Sequence, residues 1–408
     1  MEHLSVPQFL GMIVLILAAA KLLGALAKAF GQPTVLGELL AGVLLGGSVL
    51  GVVGPEHEVV HLLAELGVVI LLFAIGLETD LGKLMKVGGS SAAVATVGVV
   101  LPFALGYGVC HLLGLGGLTA VVAGASLTAT SVGITARVLS DLGRMQEPES
   151  QIIIGAAVID DIVGLVILTV VAGLVQGEQV TAWGVARITG SAFGFLAATL
   201  LVGSFLLPLV MRLAGSFRLP ATPTILAVML ALALAWLADK AGSAVIIGAF
   251  VAGVLLARSP KARDIEHGVT ELGNFFVPIF FVSVGAAVDV RVFNPADPAN
   301  RTTLLVGGLL IVAAVAGKFA AGYAIPWFKG KKSVIGVGMI PRGEVGLIFA
   351  QMGLSSGVFD AKLFGAVTLM VLVTTFLAPP LLRVLFPPQD ENPNPIEAEG
   401  IEELVTGE

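Results

Sequence analysis

Charge is what this chain most lacks. Only 12% of its 408 residues are Asp, Glu, Lys or Arg, whereas 57% are hydrophobic and the mean hydropathy is +1.01. A soluble domain carries roughly 25% charged residues, so an ordinary soluble globule is excluded, and no basic patch suggests a nucleic-acid partner. Cysteine occurs once, at Cys110, which excludes an internal disulfide. Long alternating polar–apolar strands are missing, which argues against a β-barrel. The opening MEHLSVPQFLGMIVLILAAAKLL has neither a basic n-region nor a small-residue cleavage site. It reads as a retained first helix, not a signal peptide.

What is present is a series of apolar runs, each near the roughly 20 residues needed to cross a bilayer. They predict an all-α polytopic membrane protein of thirteen helices. The helices are placed near 8–30, 34–54, 59–77, 91–112, 118–140, 150–175, 183–213, 222–238, 242–258, 268–289, 303–326, 332–355 and 361–386. Residues 1–386 form the membrane domain in this reading. The tail at 387–408 holds seven acids and no base, and its polarity and prolines predict disorder. Thirteen crossings put the termini on opposite faces. Fourteen Lys and Arg, from Lys28 to Arg383, gather on the C-terminal face, against Arg187, Lys240, Arg291, Arg301 and Lys362 on the other. The C-terminus is therefore expected in the cytoplasm and the N-terminus outside.

Two stretches resemble each other. VLGELLAGVLL (35–45) aligns with IIGAFVAGVLL (246–256), ELG recurs at 65–67 and 271–273, and LFAIGLETDL (72–81) matches FVSVGAAVDV (281–290) in its Gly and Asp spacing. The matched spans are the second and ninth, then the third and tenth. An odd separation of seven reverses direction across the bilayer. Spans 1–6 and 8–13 are thus expected as inverted repeats joined by span 7, an organisation typical of secondary transporters.

Interrupted helices at matching places in the halves point to a transport site. The fifth span contains SLTATSVGIT (126–135), whose hydroxyls can leave the helical ladder. The twelfth contains GMIPRGEVG (338–346), where Pro341 removes a backbone donor and Gly343 loosens the turn. At about 1.5 Å per residue, Asp160, Thr130 and Arg342 lie roughly 15 Å from the cytoplasmic face and Lys318 about 12 Å. Four helices thus bring their unusual residues to one depth.

The sharpest anomaly is GAAVIDDIVGL (155–165), where Asp160 and Asp161 sit in a run otherwise suited to oil. A charge there costs about 2.5–3.5 kcal/mol on insertion scales, so these acids must pair, protonate or meet water. Adjacent helical positions point about 100° apart, which divides the labour. One aspartate pairs with Lys318 and the other faces a hydrated cavity; the spacing leaves open which does which. Carboxylates, hydroxyls and backbone carbonyls make a hard site for Na+ or Li+ in competition with H+. Arg342 and Glu344 flank the second break and are expected to pair with each other or with a buried acid such as Glu78, bracing the broken helix. Glu38 and Glu65 are expected near interfaces or helix contacts. An intramembrane aspartyl protease needs carboxyls converging from two helices, whereas these are neighbours on one.

At these residues, TATSVGITARVL (128–139), GAAVIDDIVGL (155–165), AGKFAAGY (316–323) and GVGMIPRGEVGLI (336–348), the chain resembles bacterial sodium/proton antiporters of the monovalent cation:proton antiporter-2 family. The likeness extends over about 1–386. It implies an elevator-like homodimer in the cytoplasmic membrane, with a mobile core against a dimerisation domain and no cofactor. It also implies that Asp161 carries the ion and proton, that Asp160 pairs with Lys318 until cation binds, and that Thr130 and Ser131 lie beside the site. Such paired aspartates with a lysine go with electrogenic exchange. Potassium-efflux relatives have Gln in place of the first aspartate and carry a nucleotide-binding domain. Asp160, and the lack of such a domain in these residues, favour sodium over a K+/H+ exchanger.

Overall fold

The structure is a computed structural model that describes residues 5–54, 58–176, 181–214, 222–294 and 300–387. All but the first residue of the acidic tail therefore lies outside the described residues. Among them are sixteen α-helices and one short 3-10 helix. The helices are α1 (Val6–Ala29), α2 (Thr34–Leu45), α3 (Glu58–Glu78), α4 (Leu81–Lys86), α5 (Gly88–Leu112), α6 (Gly117–Ser126), α7 (Val132–Asp141) and α8 (Pro148–Val175). They continue with α9 (Ala182–Ala214), α10 (Thr222–Lys240), α11 (Val245–Leu256), α12 (Ala262–Ala286), α13 (Asn300–Ala321), α14 (Lys332–Gly338), α15 (Glu344–Ser355) and α16 (Ala361–Leu385).

Every expected span contains helix, but four of them are not single long helices. Nine helices among the described residues are long and apolar enough to cross a membrane: α1, α3, α5, α8, α9, α10, α12, α13 and α16. The other four expected spans are shorter or broken. The second stops at Leu45, because Gly46 leaves the helix and Gly51, at φ 65°, folds the chain back so that Gly46 and Val53 bridge. A left-handed φ is costly for any residue with a Cβ and free for glycine. The ninth is equally short, at 12 residues. The fifth splits into α6 and α7, and the twelfth into α14 and α15. These two splits and the short α4 account for sixteen helices where thirteen spans were expected.

The helices pack as two bodies. In the first, α2 lies against α1 and α12, and α3 against α11 and α12, with α10 on α11. In the second, α5, α6, α8, α13, α14, α15 and α16 surround one another, and α7 packs on α8 and α16 while also touching α2 and α3 of the first. Glycines allow the first body to pack backbone on backbone. A Cβ added at Gly42 of α2 would stand 2.7 Å from Gly285 Cα of α12, and one added at Gly253 of α11 would stand 2.7 Å from Gly76 Cα of α3. Both are too close for any side chain. These four glycines occupy matching positions in the two similar sequence stretches. Gly37 and Gly248 likewise match, and each abuts the backbone of the preceding helix at Leu23 and Leu234. Small residues at such crossings let helices in lipid associate closely, where hydrophobicity alone gives them no reason to.

Candidate functional site

The site forms where the two broken helices cross inside the second body. The α6 helix ends as its hydroxyls turn back on their own backbone: Ser126 Oγ donates to Ala123 O and Thr128 Oγ1 to Ala125 O, both at 2.7 Å. Such bonds offer the chain an alternative to the helical ladder. The chain then runs extended to Ser131 before α7 begins. In the other break, Pro341 has no N–H and biases Ile340 away from helix. The breaks are bonded to each other. Ser131 N–H donates to Pro341 O at 2.8 Å, and Thr135 Oγ1 donates to Gly338 O at 2.7 Å. Gly343 eases this approach, since a Cβ there would lie 2.8 Å from Ser131 Oγ and make the serine shift.

Asp160 comes down onto this crossing from α8. It is wholly buried, and its Oδ2 accepts from Lys318 Nζ at 2.7 Å and from Thr130 Oγ1 at 2.5 Å. Its Oδ1 is buried and accepts no hydrogen bond from a protein group. Lys318 is equally buried, on α13, and passes Gly98 of α5, where an added Cβ would stand in ordinary contact, 3.5 Å from Nζ. Asp161, the next residue of α8, is half-buried. Lys318 lies within electrostatic reach of both aspartates and of Arg342. A buried ion pair of this kind costs desolvation of both partners, and losing either partner strands the other.

Arg342 is fully buried, and its Nη1 donates to Met339 O at 3.2 Å and Ile340 O at 2.8 Å. The guanidinium thus caps the C-terminal carbonyls of α14, where the helix dipole favours a cation. Its own carbonyl accepts from Thr375 Oγ1 of α16. Glu344 begins α15, and its side chain lies outside what is described. Glu78 instead accepts from Ser140 Oγ of α7, at 3.3 Å to each carboxylate oxygen. Among the expected residues, Asp160, Lys318 and Thr130 are therefore joined by direct bonds. Ser131 and Arg342 hold the crossing, and Asp161 neighbours it.

Sequence reasoning missed Thr135 and Thr375, which tie the breaks, and a polar cluster of Thr34, Glu38, Arg137 and Asp141. The signal for the cluster was available: Arg137 and Asp141 are four apart and form a 3.1 Å ion pair on one face of α7. Among the described residues no three His, Cys, Asp or Glu side chains gather as a metal cluster. A cation held here would use the α8 carboxylates with hydroxyl and carbonyl oxygens.

Buried charge at the crossing of two interrupted helices, within an otherwise apolar bundle, defines a multi-pass membrane protein built for ion transport. Comparison with known proteins gives the family. Residues 13–386 match the family described as "Sodium/hydrogen exchanger, transmembrane", and the chain belongs to it. It is 42% identical to the high-affinity Na(+)/H(+) antiporter NhaS3 of Synechocystis sp., over 92% of this chain and 89% of that protein. It is 34% identical to the Na(+)/H(+)-K(+) antiporter GerN of Bacillus cereus, over 94% of this chain and 98% of that protein. Its fold resembles the sodium proton antiporter MjNhaP1 of Methanocaldococcus jannaschii, with a TM-score of 0.71 at 17% identity, covering 96% of this chain and all of that one.

Proposed function

We propose that the protein is a secondary-active Na+(Li+)/H+ antiporter that exchanges cation and protons at the α8 aspartates. One observation carries the reading: Asp160 Oδ2 is shared by Lys318 and Thr130 at the crossing of the breaks. The lysine neutralises only one of two acids. Asp161 is the carrier, taking a proton or a cation in turn, and Asp160 completes the cation's oxygen shell. Arrival of a cation at Asp160 competes with the Lys318 ammonium for the same oxygen, so binding loosens the ion pair. Lys318, once released from Asp160, sheds its proton to water as Asp161 sheds another, so two protons leave for each Na+ that binds, which makes the exchange electrogenic. In this reading the chain crosses the membrane thirteen times. The segments through α8 and those from α10 onward are inverted repeats, with α9 joining them. The second body moves as an elevator against the first, which forms the homodimer. The N-terminus lies outside.

The names of the relatives support sodium, and that of GerN supports a second reading, in which K+ is also carried. Proteoliposomes loaded at fixed pH decide between them. Na+ and Li+ are expected to dissipate an imposed pH gradient, and K+ alone doing so overturns the sodium reading. An imposed membrane potential is expected to change the rate, and indifference to it overturns electrogenic exchange.

A further inference from the structure

The seam between the two helix bodies differs in chemistry at its two ends. Where α7 finishes, side chains stitch the bodies together. Thr34 Oγ1 of α2 donates to Asp141 Oδ2 at 2.7 Å, and Ser140 Oγ donates to the Glu78 carboxylate at the end of α3. Gln146, in the turn after α7, donates its amide to Glu78 O. Behind them Glu38 is only 4% exposed, with Oε2 accepting no hydrogen bond, within electrostatic reach of Arg137 and Lys21. At the other end of the seam there is a narrow cleft between α2 and α12 on one side and α15 and α16 on the other. It is lined by residues that include Leu39, Val284, Val288, Leu347 and Gly343. Gly343 belongs to the crossing itself, so the cleft reaches the site.

We infer that this conformation is closed at the α7 end and open at the α15 end. We infer further that Thr34–Asp141 and Glu78–Ser140 are a latch that positions the second body for exchange. The inference rests on the proposed relative movement of the two bodies. The matching positions in the similar stretches support it. Where the first stretch has Thr34, Glu38 and Glu78, the second has Val245, Ala249 and Ala287. Laying α15 on α7 from their N-caps puts Met352 and Gly353 opposite Ser140 and Asp141. The fold alone therefore does not demand the latch, since none of these matching positions carries a hydroxyl or a carboxylate.

The latch is also wired to the site. A single helix, α7, has its N-terminus at the Ser131–Pro341 bond and its C-terminus in the latch, about 15 Å away for its ten residues. Movement of Thr130 when Asp160 changes partners is transmitted along this rigid rod. Separation of α7 from α2 brings water to Glu38, which this arrangement otherwise keeps among protein groups.

Disulfide trapping tests the latch. Cys110→Ala removes the natural cysteine, and Thr34→Cys with Asp141→Cys places thiols at the latch contact. In proteoliposomes with Na+, the oxidised protein is expected to lose exchange at least tenfold, and reduction is expected to restore it. Oxidised protein that exchanges at its reduced rate overturns the latch. If the Cys110→Ala protein with Thr34 and Asp141 intact exchanges no cation, the antiporter reading fails instead. Aqueous maleimide labelling then judges the conformation without transport. Single cysteines at Leu347 and Val35 are compared in the Cys110→Ala background. Labelling of Leu347→Cys at least tenfold faster than Val35→Cys is expected, and equal rates overturn the assignment. Thr34→Val is expected to change the maximal rate at least threefold at an unchanged half-saturating Na+ concentration. A change in half-saturation alone would place Thr34 in ion binding and overturn its positioning role.

Discussion

In our reading of the chain as two halves, matching positions share their packing but not their chemistry. Gly42 and Gly253 lie at equivalent crossings, and added Cβ atoms at the two meet their partner glycines at the same 2.7 Å. Both halves carry one interrupted helix. The charges, however, are divided. The first half supplies the acids Asp160 and Asp161, and the second supplies the bases Lys318 and Arg342. LMVLVTTFLAP (369–379) laid on GAAVIDDIVGL (155–165) puts Thr374 and Thr375 where the aspartates stand. These hydroxyls are buried and spent locally: Thr374 donates to Met370 O at 2.8 Å, and Thr375 donates to Val371 O and to Arg342 O. Crossing geometry constrains both halves alike because backbones must touch in each. Ion chemistry requires only one acidic centre, so a single half carries it and the other stabilises it.

Substitutions at equivalent positions separate these two layers. The largest effect is expected at the proposed carrier: Asp161→Asn removes Na+-driven proton flux in liposomes, whereas Thr375→Val at the matching position leaves flux measurable. Flux at the wild-type rate in Asp161→Asn would put the exchange elsewhere. Lys318→Ala comes next. It strands Asp160 at a site with no exposure and is expected to cost about 3–5 kcal/mol, read as a lowered melting temperature. Adding Asp160→Asn to Lys318→Ala is expected to return part of that loss, and no return would mean that the ion pair is not the source. Smaller and symmetric effects are expected from Gly42→Ala and Gly253→Ala, each about 1–3 kcal/mol from overpacking. A strongly unequal pair would break the equivalence of the halves. Thr375→Val is expected to cost least, about 1 kcal/mol for one lost hydrogen bond to the Arg342 carbonyl.

The anomalies of the sequence marked the site well, because an acid or a base in a run such as AAVIDDIVGL has few reasons to be there. Asp160, Asp161 and Lys318 were legible on that ground. Thr130, Ser131 and Pro341 were legible as chain that resists helix. The pairing itself was not legible from spacing. Either aspartate satisfies a 100° argument, and the outcome depends on where Gly317 allows α13 to pass α5. A Cβ at Gly317 would stand 2.8 Å from Pro102 Cγ. The carbonyl partners of Arg342 were missed for a related reason. A broken helix exposes its own carbonyls, and Met339 O and Ile340 O meet the guanidinium at short range. The length of α2 was overestimated because hydropathy does not register a turn made by Gly46, Gly47 and Gly51. The latch escaped notice because Thr34, Glu78 and Asp141 look like ordinary helix-end residues until tertiary contact joins them.

The glycine crossings also bear on how such a protein diverges. Where main chains meet with nothing between them, there is no side chain to swap, so that scaffold resists gradual change. Variation in cargo preference or working pH is then channelled into the other helices, whose packing can drift one residue at a time. Grafting α5–α8 and α13–α16 from a relative onto this unaltered frame is the natural route to a carrier with a different appetite.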